Sequence, residues 1–220
     1  ERERERMSTD VPEGPIDIYT LANIKGRICK HAPPSDHERI LTLPFVRNAL
    51  KRNKDKVSDP YCCEVIKLNK RGVYQKRRFL LSDKALYNID FMGRVKRRLP
   101  YNEIGCLVVS PYEDHYAVIE HEECDYLVIS VSVHQLLTAL MALTERMGHT
   151  VRMVCRTSTR WVPAVTLCGR KVTFCPRGRE EPVPGVSAGS PGNGCTVIVD
   201  MTGLEGSEGS DDGEAEEAQD

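Results

Sequence analysis

The spacing of apolar residues along this chain changes period twice. From residue 62 to residue 130, short runs that are apolar or alternate apolar with polar follow one another closely, at 62–68, 78–82, 85–89, 95–99, 104–110, 115–120 and 126–130. Turn-forming groups divide them, notably Lys70-Arg71-Gly72, Ser82-Asp83-Lys84 and Phe91-Met92-Gly93-Arg94. Connections this short join antiparallel neighbours and leave no room for the crossover of a parallel pair, so the runs predict an antiparallel meander. The period then becomes 3.6. Val133, Leu136, Leu137, Leu140, Leu143, Thr144 and Met147 share one face of a helix over 133–147. Ser132 with Gln135 three residues later predicts a capping box, and Gly148 a left-handed stop. After the helix the β pattern returns at 151–155, 161–167, 171–175 and 195–199. Ahead of the meander, Ile40, Leu43, Val46 and Leu50 recur at helical spacing, and Pro44 interrupts them, which predicts a short broken helix over 38–52. The fold expected is mainly β with some α: a small antiparallel β-barrel plugged by an amphipathic C-terminal helix, with extra strands after it.

With 220 residues, 40% of them hydrophobic and 29% charged, the chain suits one domain with disordered margins. Residues 1–15 read as a polar leader, 16–203 as the domain with a flexible loop at 178–194, and 204–220 as an acidic disordered tail. The alternation of Glu and Arg over residues 1–6 stands directly before Met7, as a charged arm or an over-extended start. No run of about 18 apolar residues offers a membrane-spanning helix, and no secretory signal follows the N-terminus. A cytoplasmic chain is expected. Nine cysteines scattered through apolar stretches read as reduced thiols serving as small hydrophobes.

The formal net charge of −1 points to no nucleic-acid partner, but it conceals segregation. Residues 51–98 hold fifteen bases and five acids, a net +10, whereas 204–220 hold eight acids and no base. Lys70, Arg71, Lys76, Arg77 and Arg78 flank a glycine-containing turn, and their convergence at the open end of a barrel would suit a phosphorylated head group. The bland alternative is a solvated hairpin whose charge keeps a sheet edge from aggregating. At about 1 kcal/mol per base near an anionic leaflet, five bases supply on the order of 5 kcal/mol, a weak and reversible attachment. Lys96 and Arg98 form a candidate secondary basic patch, with Arg97 pointing away because strand side chains alternate. The acidic tail is a candidate electrostatic shield for the basic turn, or a solubilising appendage.

Other chemistry is poorly supported. His121 and Cys124 stand three apart, with His115, Cys106, Cys62 and Cys63 elsewhere, a spacing that favours buried thiols over a metal site. Ser110, Asp114 and His115 are too close in sequence to build a base with its orienting partner. No glycine-rich phosphate loop, and so no cofactor, is indicated. Trp161, the single tryptophan, reads as core.

The stretch Lys-Leu-Asn-Lys-Arg-Gly-Val-Tyr-Gln-Lys-Arg-Arg-Phe-Leu-Leu-Ser at 67–82 resembles the tail homology 1 domain of class I myosins. Asp83-Lys84-Ala85-Leu86-Tyr87, the strand at 95–104, the Ser110 to Ile119 stretch, Asp125-Tyr126-Leu127-Val128 and the closing 194–199 strand continue the likeness in order, over residues 30–203. The resemblance implies an extended pleckstrin-homology-like barrel and a non-enzymatic adaptor between membrane and cytoskeleton that binds anionic phospholipids, phosphoinositides among them. It places the lipid-contacting pair of bases at Arg71, or Lys70 one position earlier, and Arg77. It also implies a free-standing tail, since no motor or calmodulin-binding neck precedes it. The alternative is a structural cytoskeletal or axonemal component that docks the same bases on acidic surfaces of tubulin or actin filaments.

Overall fold

Short links make sequential strands pair, and the chain does so in two meanders that then join. The computed structural model describes residues 14–15, 37–58, 61–70, 72–112, 115–130, 132–164, 169–176 and 195–199. In chain order the elements are β1 (Gly14–Pro15), α1 (His37–Thr42), α2 (Pro44–Asn53), β2 (Tyr61–Leu68), β3 (Tyr74–Leu81), β4 (Ala85–Ile89) and β5 (Val95–Pro100). A 3-10 turn (Tyr101–Glu103) leads to β6 (Ile104–Val109), β7 (Tyr116–His121), β8 (Tyr126–Ile129), α3 (Val133–Arg146), β9 (Arg152–Cys155), β10 (Ser158–Trp161), β11 (Arg170–Pro176) and β12 (Cys195–Val199). Strands β2 to β5 form the first meander and β6 to β8 the second. Strand β8 pairs back on β2 through Ile66 with Ile129 and Lys67 with Val128.

The central strands are antiparallel as the spacing predicts, but β9 is not. It runs parallel to β6, from Cys106 opposite Arg152 to Val109 opposite Cys155. Helix α3 supplies the crossover that this parallel pairing requires. Strand β1 pairs with β9, so Gly14 and Pro15, placed in the leader by composition, belong to the sheet edge. The rest of the leader, the 178–194 loop and the acidic tail lie outside the described residues. Strands β10, β11 and β12 form a second, three-stranded sheet. The strand expected at 161–167 instead ends at Trp161, two residues before Pro163, which has no N–H to extend a ladder.

Among the described residues three apolar cores follow from this wrapping. Inside the barrel, Val65, Phe79, Leu86, Leu99, Leu107 and Ile119 meet Val133, Leu136, Leu137 and Leu140 of α3. On the outer face of the first meander, Leu80, Tyr87 and Ile89 are covered by Ile40, Val46 and Ala49 of α1 and α2. On the outer face of the second, Val108, Val118 and Leu127 are covered by Trp161, Val172 and Phe174 of the small sheet. Strand β4, with all five residues buried, is apolar at every position but Asn88 because neither face meets water.

Pro44 breaks the N-terminal helix as expected: α2 starts at Pro44, where a missing N–H costs nothing, and closes on Lys54 with φ 54. Helix α3 ends at Gly148, φ 70, whose N–H donates to the Glu145 carbonyl while the His149 N–H donates to that of Thr144, the paired bonds of a Schellman stop. Its start departs from expectation. Ser132 occupies the N-cap with ψ 23, outside the extended region that presents a hydroxyl to the helix, and makes no side-chain cap bond. Ser130 takes over, accepting the Ser132 N–H on its hydroxyl (3.2 Å) and the Val133 N–H on its carbonyl (3.0 Å). Met147, expected on the buried face, is 53% exposed because the helix has already turned off at Arg146.

Leu140 is buried where α3 plugs the barrel. Leu140→Ala is expected to lower unfolding free energy by about 2 to 5 kcal/mol through the cavity it leaves. Denaturant unfolding checks this; a midpoint equal to wild type would mean the helix does not close the core.

Candidate functional site

The barrel end away from α3 is built by the β2–β3, β4–β5 and β7–β8 connections. Antiparallel pairing brings them together: β3 leaves from this end and β4 returns to it, and β8 starts where β2 finishes. Two of the connections are twins. In the first, the Asn69 N–H donates to the Val73 carbonyl (3.0 Å), the Gly72 N–H to the Asn69 carbonyl (3.0 Å) and the Val73 N–H to Asn69 Oδ1 (2.9 Å). In the second, the Asp90 N–H donates to the Arg94 carbonyl (2.9 Å), the Gly93 N–H to the Asp90 carbonyl (3.1 Å) and the Arg94 N–H to Asp90 Oδ1 (2.9 Å). Gly72 and Gly93 take φ 77 and 82, the left-handed position such a turn needs. The two tips lie two strand spacings apart across the sheet, the first reaching further along the strands because its ladder ends at Tyr74 while β4 ends opposite Arg78.

The candidate bases around the first turn do not all converge. Lys70 is exposed at the tip, and Arg71 lies outside the described residues. Lys76, Arg77 and Arg78 sit on β3 opposite Ile66, Val65 and Glu64, so strand alternation divides them. Arg77 shares the inner face with Phe79 and Leu81, and donates to Gln75 Oε1 (2.7 Å) and the Lys76 carbonyl (3.0 Å). Lys76 and Arg78 take the outer face. There Arg78 lies 3.8 Å from Glu64 and 4.9 Å from the centre of the Phe91 ring.

Two bases that the sequence reading left aside join Arg77 on the inner face. Lys67 continues the inward series Cys63, Val65 of β2, diagonal to Arg77 across the ladder and so about 7 to 8 Å from it along the backbone. Its ammonium stands 4.4 Å above the Tyr126 ring. Arg97, opposite the buried Asn88, pairs with Glu123 (3.2 Å) and donates to Cys124 Sγ (3.0 Å). The signal for Lys67 was its parity with Val65, and for Arg97 its parity with Leu99; its pairing with Glu123 had none, because that partner is distant in sequence. Lys67, Arg77 and Arg97 thus line the inside of the mouth, with Lys70 at its lip.

The secondary patch is corrected. Arg98 points to the outer face, where Nε and Nη2 donate to Asp55 at 2.8 and 3.2 Å. The Asp55 carboxylate, with no exposed surface, also accepts from the Tyr87 hydroxyl (2.7 Å). Burial pushes the Asp55 carboxyl up, but the Arg98 and Tyr87 hydrogen bonds and the Arg98 charge overcome this and hold it below the ordinary range. Arg98 is therefore a structural cation that clamps the end of α2 to the barrel. Lys96, one residue extra in the ladder opposite Asn88 and Ile89, lies 3.9 Å from Asp90 in the second twin turn.

The remaining candidates resolve into packing. Burial pushes the Cys124 thiol up despite Arg97 beside it, and pushes the His121 imidazole down although Glu103 Oε2 lies 3.1 Å from Nε2. Among the described residues no three His, Cys, Asp or Glu side chains gather as metal ligands. Ser110 is buried and Asp114 lies outside the described residues. Trp161 donates from Nε1 to the Asp125 carbonyl (3.2 Å), while Asp125 accepts the Val162 N–H (2.7 Å), tying the β7–β8 connection to the second sheet. Burial pushes the Asp125 carboxyl up to about 6.

Two meanders closed at one end by a helix define a pleckstrin-homology-like fold. A family model described as "unconventional myosin tail, actin- and lipid-binding" matches residues 38–160. That is more than half of the chain, and the protein belongs to this tail homology 1 family. The myosin heavy chain IB of Acanthamoeba castellanii is 28% identical over 95 residues, which are 40% of this chain and 8% of that protein. The hSac2 domain of the human phosphoinositide phosphatase Sac2 superposes with a TM-score of 0.38 at 12% identity, over 55% of this chain and 90% of that one. The DH/PH fragment structure of PDZRHOGEF with human RhoA gives 0.35 at 12%, over 56% and 38%. Overlaps this loose add nothing to what the strand order itself establishes.

Asp55→Asn is expected to cost on the order of 3 kcal/mol at pH 7, since it leaves Arg98 without its carboxylate. Because the folded carboxyl lies below its unfolded value near 3.9, this stabilisation is present above that pH and disappears as pH falls through the folded value. Thermal melts should therefore show the variant and wild type diverging at neutral pH and converging below about pH 4; a gap independent of pH would refute the charged clamp.

Proposed function

We propose that the protein is a peripheral, non-enzymatic adaptor whose barrel mouth binds the head groups of anionic phospholipids, phosphoinositides among them, and so holds the chain at a membrane or cytoskeletal surface. The observation that carries this reading is the shared inner face of Lys67 and Arg77 at the open end, with Lys70 at the lip and Arg97, paired with Glu123, on the same face. Cations placed inside a concave, partly desolvated rim act on a phosphate more strongly than the same number spread over a convex surface. The family's lipid-binding description supports the choice of ligand. Among the described residues no helix is long and apolar enough to cross a membrane, so attachment through this face would be peripheral.

The same description includes actin, which favours a second reading in which exposed bases such as Lys70 and Lys76 dock on an acidic filament. One experiment separates the two. In co-sedimentation with vesicles containing phosphatidylserine and a phosphoinositide, the double variant Lys67→Gln, Arg77→Gln is expected to lose about 30-fold in affinity, two bases at about 1 kcal/mol each, with its melting temperature kept. Its actin co-sedimentation should be unchanged. Wild-type vesicle affinity in the folded variant would refute the mouth as the lipid site, and loss on actin alone would favour the filament.

A further inference from the structure

Hairpin tips are normally polar, because glycine, asparagine, aspartate and serine satisfy the turn and meet water without cost. The two twin turns depart from this. Among the described residues five large apolar side chains are exposed, and three of them stand on these two tips: Val73 at 55%, Phe91 at 46% and Met92 at 75%. Isolated exposed apolar residues require no explanation, but a cluster at one end of a barrel, beside a concentration of positive charge, does.

The second turn is also rigid. Its three internal hydrogen bonds fix the backbone, and Gly93 rests against the α1–α2 joint so closely that a β-carbon there would come within 2.7 Å of Leu43 Cδ1. The Arg78 guanidinium lies over the Phe91 ring, 4.9 Å from its centre, and Asp90 is engaged by the turn itself and by Lys96. Arg94 is exposed on the far side of the tip. A preformed apolar point ringed by Arg78, Arg94 and Lys96 loses little conformational freedom when it docks.

We propose that the β4–β5 turn is a membrane-inserting finger, in which Phe91 and Met92 enter the interface of an anionic bilayer while the twin β2–β3 turn and the barrel mouth hold the head groups. This rests on the lipid reading above and adds a contact that salt does not screen. The occupant follows from charge complementarity and continuity: the β4–β5 and β2–β3 turns close the same end of the barrel, so one anionic surface meets the apolar tip together with the bases beside it. Met92 and Phe91 supply burial, and the flanking guanidinium and ammonium groups remain at head-group level by extending along their aliphatic stems.

The test uses the full chain, in which Trp161 is 1% exposed and gives a constant buried background. In Met92→Trp, vesicles of phosphatidylcholine with phosphatidylserine and a phosphoinositide should shift the tryptophan emission to the blue, and lipids brominated on the acyl chain should quench it. In Phe91→Ser, Met92→Ser, whose melting temperature should match wild type because both side chains are exposed, vesicle affinity should fall about tenfold and the deficit should persist at high salt. Co-sedimentation of Met92→Trp with vesicles but without shift or quenching would overturn insertion while leaving head-group binding intact, as would undiminished affinity of the double serine variant. If wild type itself does not co-sediment at low salt, the lipid reading fails and the finger with it. A blue shift produced by a filament or soluble protein but not by vesicles would assign the tip to a protein partner instead.

Discussion

Each strand of the central barrel shows alternate side chains to the interior and to the outside, and in this chain both sides are largely spoken for. The interior is filled by α3 at one end, and the outer faces are covered by α1 and α2 on one side and by the small sheet on the other. A charge can remain hydrated on the inner face only beyond the reach of the plug, which is the open end. Parity of position therefore decides the fate of each base. On β2 and β3 it sends Lys67 and Arg77 into the mouth and Lys76 and Arg78 to the outer seam, though all belong to one basic stretch.

The Asp55–Arg98 contact shows the same constraint acting in reverse. A carboxylate without exposed surface is costly unless its lone pairs are occupied, and here Arg98 and Tyr87 occupy them. The pair joins the end of α2 to β4 and β5 and fixes where the N-terminal helices sit on the barrel. It also removes one cation from the set available to a ligand. The +10 segment consequently overstates the charge that an anionic surface can reach, since Arg98 is spent on the fold and Arg78, Lys96 and Arg97 each lie near an acid.

The twin turns show how one backbone device serves two surfaces. An Asn or Asp at the start bonds the N–H four residues on and a Gly supplies the positive φ. What each tip presents then differs, with Lys70 and Val73 exposed on the first and Phe91 and Met92 on the second.

The elements were legible in the sequence because their causes are local. A two-residue period marks a strand, the Val133 to Leu140 spacing marks the helix, Gly148 stops it, and Pro44 breaks the N-terminal helix; each depends on backbone chemistry within a few residues. The same local signals failed where a neighbour intervened, as at Ser132, whose capping role passed to Ser130, and at Met147, which followed the helical period past the point where the helix ends. The basic turn too was visible as charge beside a glycine. Which of these bases are paired was not, because it depends on partners far along the chain: Arg98 finds Asp55 across 43 residues and Arg97 finds Glu123 across 26. Sequence alone thus determined the barrel, its plug and the charge near its open end, while the tertiary structure sorted that charge into clamp, mouth and surface, since only the folded chain brings each cation to its counter-charge.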